Sequence, residues 1–443
     1  MIQAIFFIPY AVAIALLAAE IARWPPTRRV RTPRIAEAYW IGSILLTYVV
    51  QLVIVRYGAT HASPLPPSRL REPLPTVFLY SVHSDAIEAI ALICAALQSY
   101  ALIAIYRSEP SRRLVAGAAA VMIVLSLAEP ALTSADLYSN VGYAILGKLA
   151  YSPPTHPFPE AFRAINYEWK PPLPPSPYGP IWLAVLWCVT SPFATLLGKM
   201  MALRCFCAAC FLTLPWLMRA LGLPRRLSIV TQLNPALAMF FVTNAHNDVF
   251  ALVWICGAAV LAKRSSAWAA LPLAIAGLVK LPYVVLGLPV LTALRPVWVR
   301  FFSAAGAIAV VVLVSWGIGG REYVAALLTH ARPMEENAGW HVVVSMVAIV
   351  VVLAALAGAR RYRAAVWLLP PVGGFYPAFV YPWYLVWGLP YALVRHRVLA
   401  YFLVWLPLVS ALVDQQPIRI WTILLVFPLL LVWSFRPVGQ KQT

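Results

Sequence analysis

Asp136 is the residue whose type and position best suit it to chemistry. It is one of only 15 aspartate and glutamate residues in a chain of 443, and it follows the fourth long apolar run. A carboxylate at the boundary between lipid and water can accept hydrogen bonds from the free amides that begin a helix. It can also take a proton from an attacking hydroxyl group. Asp136 is therefore predicted to be either a helix cap or a general base.

The segment between Asp136 and Tyr178 is crowded with prolines and aromatic residues. Proline fixes φ and lacks a backbone donor, so the pattern predicts a stiff, irregular loop rather than one continuous helix. Aromatic rings suit both the faces of sugars and the interface between lipid and water. Tyr138 and Tyr178 are therefore predicted either to bind substrate or to belong to an interfacial aromatic belt.

A second polar group, Asn244-Ala-His246-Asn247-Asp248, separates two later apolar runs. Asn247 or Asp248 could cap the helix that follows, and His246 could be an interface histidine whose hydrogen bonds are satisfied. His246 and Asp248 could instead bind substrate. Two ligands are too few to predict a metal site, and no cofactor is expected.

Two cations, Arg204 and Lys280, lie inside apolar stretches rather than in the basic flanks. Such residues usually extend their charged ends to the membrane surface. A lipid-linked phosphate, however, also needs cations at headgroup depth. Lys280 precedes a proline break at Pro282, where a helix terminus could add backbone donors. Of the two cations, Lys280 is predicted to be the better candidate for binding phosphate.

Further polar residues lie near the ends of other apolar runs. His83, Asp85 and Glu88 are close together, and the two carboxylates share a helix face because they are three residues apart. They fit either a proton path in a transporter or a polar patch. His341, in a late polar stretch, and Tyr384, in the aromatic stretch 381–387, are candidates for substrate binding. An aromatic belt is the alternative for Tyr384.

The composition excludes a soluble globular protein. Hydrophobic residues make up 62% of the chain and charged residues 11%, whereas a soluble domain has about half apolar and about a quarter charged residues. The net charge of +19 could suit nucleic acid, but the basic residues lie in short clusters between apolar runs, as cytoplasmic anchors do. The sequence therefore predicts an all-α, polytopic protein of the plasma (inner) membrane with no nucleic-acid partner.

Placing the basic clusters in the cytoplasm gives an external N-terminus and an internal C-terminus. About 13 to 15 transmembrane helices are expected, in one domain over residues 1–443, because a span needs about 20 apolar residues. The segment 179–197 is predicted to be re-entrant or interfacial, and the run 266–294 is predicted to break near Lys280. Large outer loops are expected at about 134–178 and 319–340, which places Asp136 on the outer face. The apolar runs lie near 2–22, 38–56, 80–106, 113–133, 199–219, 228–243, 248–263, 266–294, 299–318, 340–359, 363–380, 381–394, 397–413 and 419–435.

An ordered set of short motifs resembles one family of membrane enzymes. The set resembles the GT-C superfamily of polyprenyl-phosphate-sugar-dependent glycosyltransferases, and within it the bacterial polyprenyl-phosphate-mannose-dependent α-1,6-mannosyltransferases. The motifs occur in the order in which the family has them, across roughly two thirds of the chain. They are Asp136-Leu-Tyr138-Ser, Pro177-Tyr178-Gly179-Pro180, Arg204, Asn234-Pro235, His246-Asn247-Asp248, Val279-Lys280 and Tyr381-Pro382-Trp383-Tyr384.

The resemblance implies a GT-C-like fold and a metal-independent, inverting transfer of a sugar, expected to be mannose, from a polyprenyl-phosphate donor. The acceptor would be a lipid-linked or cell-envelope glycan on the outer face, and Asp136 would be the general base. The sequence departs from the family pattern at Asn140, Ala144 and Pro154, where the sugar or the acceptor would be held. The residues then predicted to bind substrate are Lys280, Arg204, His246, Asp248, Tyr138, Tyr178, His341 and Tyr384.

Two rival functions are compatible with the same apolar pattern. A transporter or lipid flippase would use His83, Asp85 and Glu88 as a proton path. It would also be expected to show internal symmetry between its halves, which the sequence does not reveal. A ligase or polymerase that moves a preassembled lipid-linked glycan would differ from the first prediction only in its donor, and the two large outer loops suit it equally well.

Overall fold

The computed structural model describes residues 34–62, 85–129, 134–169, 171–331, 382–393 and 396–414. Within these ranges the secondary structure is helical throughout and contains no strand, which confirms the predicted all-α class. The first seven α-helices are α1 (Arg34–Ala62), α2 (Asp85–Ser108), α3 (Arg112–Ala128), α4 (Asp136–Leu146), α5 (Arg163–Glu168), α6 (Pro180–Thr190) and α7 (Leu196–Ala220). The others are α8 (Arg225–Gln232), α9 (Pro235–Ala238), α10 (Asp248–Lys263), α11 (Ala270–Val279), α12 (Pro282–Leu286), α13 (Val297–Ala331), α14 (Leu389–Ala392) and α15 (His396–Asp414).

Shorter helical turns connect these elements. A π-helical turn, Met239–Thr243, follows α9. The 3₁₀ turns are Gly147–Tyr151, Glu160–Phe162, Ala267–Ala269, Leu288–Ala293 and Pro382–Gly388.

Four of the helices are long and apolar enough to cross a membrane: α1, α2, α7 and α13. A fifth candidate is the stretch Pro235–Thr243 together with α10, which are bent by 113° at the break between them. The chain is therefore a polytopic membrane protein, as predicted. The expected total of about 13 to 15 spans stays a prediction, because the apolar runs 2–22, 340–359, 363–380 and 419–435 lie outside the described residues.

The first predicted outer loop begins as a helix, so that part of the prediction is wrong. Residues Asp136–Leu146 form α4, and most of its side chains are buried. The proline argument applies only from Pro153 onward, because no proline lies between Asp136 and Ser152. From that point the chain is irregular as far as Tyr178, apart from two short turns of helix.

The second predicted outer loop is also helical at its start. Helix α13 runs to Ala331, although residues 319–340 were expected to form a loop. Gly320 adopts a φ of 55° and bends the helix there, which only glycine does without strain. The chain then resumes a helix over residues rich in alanine and leucine, which are strong helix formers. The glycines therefore end the first helical part of α13, close to where the predicted run 299–318 ends, and a second helical part follows to Ala331.

The break predicted near Lys280 is present, and a short helix follows Tyr178. Helix α11 ends at Val279, Lys280 has extended backbone angles (φ −154°, ψ 116°), and Pro282 begins α12. Helix α6 has 11 residues, about half the length of a complete span. This length agrees with the prediction of a re-entrant or interfacial segment over 179–197.

A small set of packed helices holds these broken segments in place. Helix α10 packs against both α7 and α11, and α11 packs in turn against α13. Between α6, α7 and α10 the rings of Trp182, Phe206 and Phe250 pack with centroid distances of 5.3 to 6.4 Å. The start of α10 and the end of α11 are thus anchored in a continuous apolar core.

Candidate active site

Asp136 is the first residue of α4, and its backbone is fixed by neighbouring side chains. Its amide donates to Ser134 Oγ at 3.1 Å, and Trp169 Nε1 donates to the carbonyl of Ala135 at 3.1 Å. The residue before the helix, Ala135, supplies no side-chain cap. The Asp136 carboxylate makes contacts across to other segments, described below, and its side chain keeps 24% exposure.

The nearest of these partners is His246, which lies in the sharp turn between the π-helical turn and α10. His246 Nδ1 is 3.1 Å from Asp136 Oδ2, and the imidazole is 2% exposed. Ala245, just before it, has a φ of 50°, a conformation that non-glycine residues adopt only when their surroundings impose it. The 113° bend at this turn brings the histidine against α4. The polar turn noted in the sequence therefore meets Asp136 directly.

Tyr178 is the second partner of Asp136. Its hydroxyl donates to Asp136 Oδ2 at 3.4 Å. The tyrosine is held by the residue after it, since the Gly179 amide donates to the Val279 carbonyl at 3.0 Å. A Cβ on Gly179 would lie 2.0 Å from the Leu278 carbonyl oxygen, so only glycine permits this approach. The loop after α4 is thereby fastened to the break between α11 and α12.

The surroundings of Asp136 shift its acidity. Burial raises the pKa of the carboxyl, but the hydrogen bond and electrostatic effect of His246, the charge of Lys280 and the Tyr178 hydroxyl outweigh it. The pKa of Asp136 therefore lies below its ordinary value. The group is ionised at neutral pH, and an ionised carboxylate can accept a proton but cannot supply one.

A second carboxylate, Asp248, starts α10 two residues after His246 and is completely buried. Lys280 Nζ lies 3.2 Å from Asp248 Oδ1 and 3.4 Å from Oδ2. The Tyr283 hydroxyl and Trp387 Nε1 also donate to Oδ1, at 2.8 and 2.9 Å. The Lys280 side chain keeps 14% exposure. Asp248 is therefore enclosed by donors, while Lys280 is partly open.

The Asp136–His246 contact and the Asp248–Lys280 ion pair are neighbours because Tyr178 contacts both. Its hydroxyl reaches Asp136, and its ring centroid is 5.9 Å from Lys280 Nζ. The Trp387 ring lies 5.2 Å from the same ammonium group. We call Asp136, His246, Asp248 and Lys280 the charged cluster. It joins four residues that span 145 positions of the sequence, and each was selected as a candidate from the sequence.

Arg204 has a different setting. It is 4% exposed, and its guanidinium donates to the backbone carbonyls of Leu127, Glu129 and Thr243. Carbonyl groups at helix ends carry partial negative charge and attract cations. Arg204 thus ties the end of α3 to the end of the π-helical turn, just before His246. Its predicted role in binding substrate stays a prediction.

The remaining predicted residues have varied positions. Tyr138 is fully buried in α4. Tyr384 lies in the 3₁₀ turn Pro382–Gly388, of which only the backbone is described at that residue. His341 and His83 lie outside the described residues, and Asp85 and Glu88 are described as backbone only, in the first turn of α2. No three His, Cys, Asp or Glu side chains of the described ranges are grouped so as to hold a metal ion.

Sequence reasoning missed Tyr283 as a member of the site and gave Trp387 no individual role. Tyr283 is three residues after Lys280 and directly follows Pro282, in the break already recognised. Trp387 belongs to the aromatic stretch 381–387, which predicted an interfacial belt as readily as a contact with Asp248. The contacts of both residues with Asp248 join segments 35 and 139 positions apart, so no local sequence signal identifies them.

One known family matches the part of the chain that contains these residues. The family model described as the N-terminal domain of alpha-(1->6)-mannopyranosyltransferase, MptA_B family, matches residues 45–296, which is more than half of the chain. The match includes all four residues of the charged cluster. Neither a curated protein nor a solved structure matches the chain. The chain belongs to the MptA_B family of alpha-(1->6)-mannopyranosyltransferases, and it is a membrane-bound mannosyltransferase.

Proposed function

We propose that the protein transfers mannose from a polyprenyl-phosphate donor to a hydroxyl group of a lipid-linked or cell-envelope glycan, with inversion at the anomeric carbon. The observation that carries the proposal is the Asp136 carboxylate, which is ionised, 24% exposed and held between His246 and Tyr178. A sugar-transfer site needs such a group, because the attacking hydroxyl must lose its proton.

The reaction balances with the residues of the charged cluster. The acceptor oxygen attacks the anomeric carbon, and the bond between that carbon and the phosphate oxygen breaks with its electrons staying on the phosphate. The hydroxyl proton passes to Asp136. Because the pKa of Asp136 is low, the proton moves late, once the new bond has made the hydroxyl acidic. The phosphate leaves as an anion and needs a cation rather than an acid.

Lys280 is the cation proposed to meet that phosphate. Its ammonium lies 5.9 Å from the centroid of the Tyr178 ring, and its side chain is 14% exposed. Charge-assisted hydrogen bonds from an ammonium to phosphate are strong. His246 is proposed to orient Asp136 through the contact of 3.1 Å. We therefore propose that Lys280 binds the donor phosphate and that His246 orients the general base, Asp136.

The outer, extracytoplasmic face of the membrane is the proposed location of the reaction. This part of the proposal is supported by the basic clusters of the sequence, which place the segment around Asp136 opposite the cytoplasm. A cysteine introduced at Glu160, an exposed residue of the segment between Asp136 and Tyr178, should react with a membrane-impermeant thiol reagent added to intact cells when the six native cysteines have been replaced. Labelling only after the cells are opened would place the site in the cytoplasm.

The decisive experiment compares donors and a pair of variants. Purified protein is supplied with polyprenyl-phosphate mannose or polyprenyl-phosphate glucose and a glycan acceptor, and the products are followed by mass spectrometry. We expect mannose transfer by the unmodified protein and by Glu160→Gln, which removes an exposed carboxylate paired with Arg163. We expect transfer by Asp136→Asn to be slower by at least about 100-fold. Transfer by Asp136→Asn at the unmodified rate would reject the proposal.

A further inference from the structure

We propose that Asp248 is a positioning residue: it contacts no substrate, and instead, together with Tyr283 and Trp387, it fixes the Lys280 ammonium for the donor phosphate. This inference rests on the proposed function, since it assumes a phosphate-linked donor. It changes the role expected for Asp248 from its sequence, where it was a candidate to bind substrate.

The burial of Asp248 is the first argument. Its side chain has no exposed surface, and both carboxylate oxygens have donors within 3.4 Å. One of them, Oδ1, receives a tyrosine hydroxyl, an indole N–H and the lysine. An ionised carboxylate only accepts hydrogen bonds, and these donors occupy much of its capacity. A sugar hydroxyl could reach it only by displacing one of them.

The origin of the two neutral donors is the second argument. Tyr283 lies in α12 and Trp387 in the 3₁₀ turn Pro382–Gly388, so two separate segments converge on one oxygen atom. Their rings also contact each other edge to face, with centroids 6.4 Å apart. A carboxylate held in this way has a fixed orientation. Its second oxygen and its charge are then directed at Lys280.

The surroundings of Lys280 are the third argument. A lysine side chain is flexible and loses much rotamer freedom when its ammonium is held in one place. Here the ammonium has Asp248 on one side, with the rings of Tyr178 and Trp387 at 5.9 and 5.2 Å. The face of an aromatic ring attracts a cation without neutralising it. The lysine is therefore positioned before the donor arrives, and it keeps a partly exposed side chain.

A simpler reading of the same ion pair predicts the opposite result. If Asp248 did no more than neutralise Lys280, then removing the carboxylate charge would leave a stronger positive site and tighter binding of phosphate. If Asp248 positions the lysine, then removing its charge leaves an ammonium that is partly buried, uncompensated and free to change rotamer. Binding of the donor would then weaken. The sign of the change in donor affinity separates the two.

The test uses Asp248→Asn, which keeps an acceptor oxygen for Tyr283 and Trp387 but removes the charge. Affinity for polyprenyl-phosphate mannose is measured by equilibrium binding in the Asp136→Asn background, where turnover is expected to be slow. We expect Asp248→Asn to weaken binding by about tenfold and Lys280→Met by at least as much, as is typical when one partner of a charged pair is lost. The double variant should bind no more weakly than Lys280→Met alone, because Asp248 acts through the lysine.

Other outcomes would overturn the inference. Tighter or unchanged binding by Asp248→Asn would reject positioning, and so would losses that add up in the double variant. If Asp248→Asn does not fold, then Tyr283→Phe and Trp387→Phe replace it, since each removes one donor to Asp248 and leaves an aromatic ring at its position. Each should weaken donor binding by about threefold, which is typical for one hydrogen bond, and unchanged binding in both would overturn the inference.

The failure of this inference is distinguishable from the failure of the proposed function. If the unmodified protein neither binds nor consumes polyprenyl-phosphate mannose, then the proposed donor is wrong. If the unmodified protein transfers mannose and Asp136→Asn does so at least about 100-fold more slowly, then the proposed function stands whatever Asp248→Asn does. Only the change in donor affinity on substitution of Asp248 then decides whether Asp248 is a positioning residue.

Discussion

The two carboxylates of the charged cluster lie in contrasting environments. Asp136 is 24% exposed, and the contacts of its carboxylate come from His246 and Tyr178. Asp248 has no exposed surface and receives three different donors on one oxygen. Asp136 is paired with His246 and Asp248 with Lys280. Of the two carboxylates, only Asp136 keeps a surface on which a substrate hydroxyl can lie. The same residue type is thus placed for proton transfer in one region and for holding a cation in the other.

The contrast shows that the surroundings of a carboxylate, and not its presence alone, indicate its role in this site. A carboxylate that must accept a proton needs an accessible oxygen and a partner that holds its direction. A carboxylate that positions a lysine needs no surface for substrate, and when it is enclosed its other donors can fix its orientation. Tyr178 contacts both regions and keeps them at a fixed separation. The separate roles of Asp136 and Asp248 can therefore be tested by changing one carboxylate at a time.

The largest effect is expected from Asp136→Asn. The amide keeps the size of the side chain but cannot accept the proton of the attacking hydroxyl, so turnover should fall by about 100- to 10,000-fold. Affinity for the donor should change little, since Lys280 is untouched. Turnover is measured under saturating donor and acceptor, and Glu160→Gln is the matched control. A loss of donor affinity without a loss of turnover would exchange the roles assigned to the two carboxylates.

Gly179→Ala should impair both regions together. The added Cβ would lie 2.0 Å from the Leu278 carbonyl oxygen, so the backbone must move and take Tyr178 away from Asp136 and Lys280. Steric overpacking of this kind costs about 1 to 3 kcal/mol of stability. We expect a lower unfolding temperature, lower turnover and weaker donor binding.

Gly117→Ala is the matched control for that change. Gly117 lies within α3, and nothing is within 4 Å of the position that its Cβ would occupy. Alanine in a helix interior should leave stability unchanged or raise it by up to about 1 kcal/mol. Equal damage in both variants would show that the close approach at Gly179 does not hold the site together.

The apolar runs predicted most of the described helices. The boundaries of α10 coincide with the predicted run 248–263, and α7 extends only a few residues beyond the run 199–219. Membrane helices can be predicted from long apolar runs because a membrane span requires a continuous apolar helix. Glycine and proline were harder to interpret. Gly320 separates two helical parts that follow each other directly, and the prolines after α4 do not prevent Asp136 from beginning a helix.

The members of the site could be selected from the sequence, but their pairing could not. Asp136 and His246 are 110 positions apart, and their contact depends on the 113° bend after Thr243. Nothing in one sequence states which carboxylate meets which base. The burial of Asp248 depends on Tyr283 and Trp387, whose polar tips are small parts of apolar residues. Such contacts are set by packing between distant segments and carry no local pattern.

Replacing His246 should change the pH dependence of Asp136. Burial raises the pKa of Asp136, and His246 is the leading cause that lowers it, followed by Lys280 and Tyr178. In His246→Asn the pKa of Asp136 should therefore rise. Because the reaction needs the ionised carboxylate, activity is lost as the pH falls through this pKa, and the acid limb of kcat/KM should move to higher pH. An acid limb at the unmodified position would mean that His246 does not set the ionisation of Asp136.

The smallest effect on chemistry is expected from Arg204→Lys. Arg204 donates to carbonyls at the ends of two helical segments, and a single ammonium cannot reproduce a planar fork of donors. Loss of one or two such bonds should lower stability by about 1 to 3 kcal/mol, with donor affinity nearly unchanged. Thermal unfolding and donor binding are measured on the same preparation. A large loss of donor affinity at unchanged stability would instead give Arg204 the phosphate-binding role that its position in the sequence suggested, and Lys280 would then share that role.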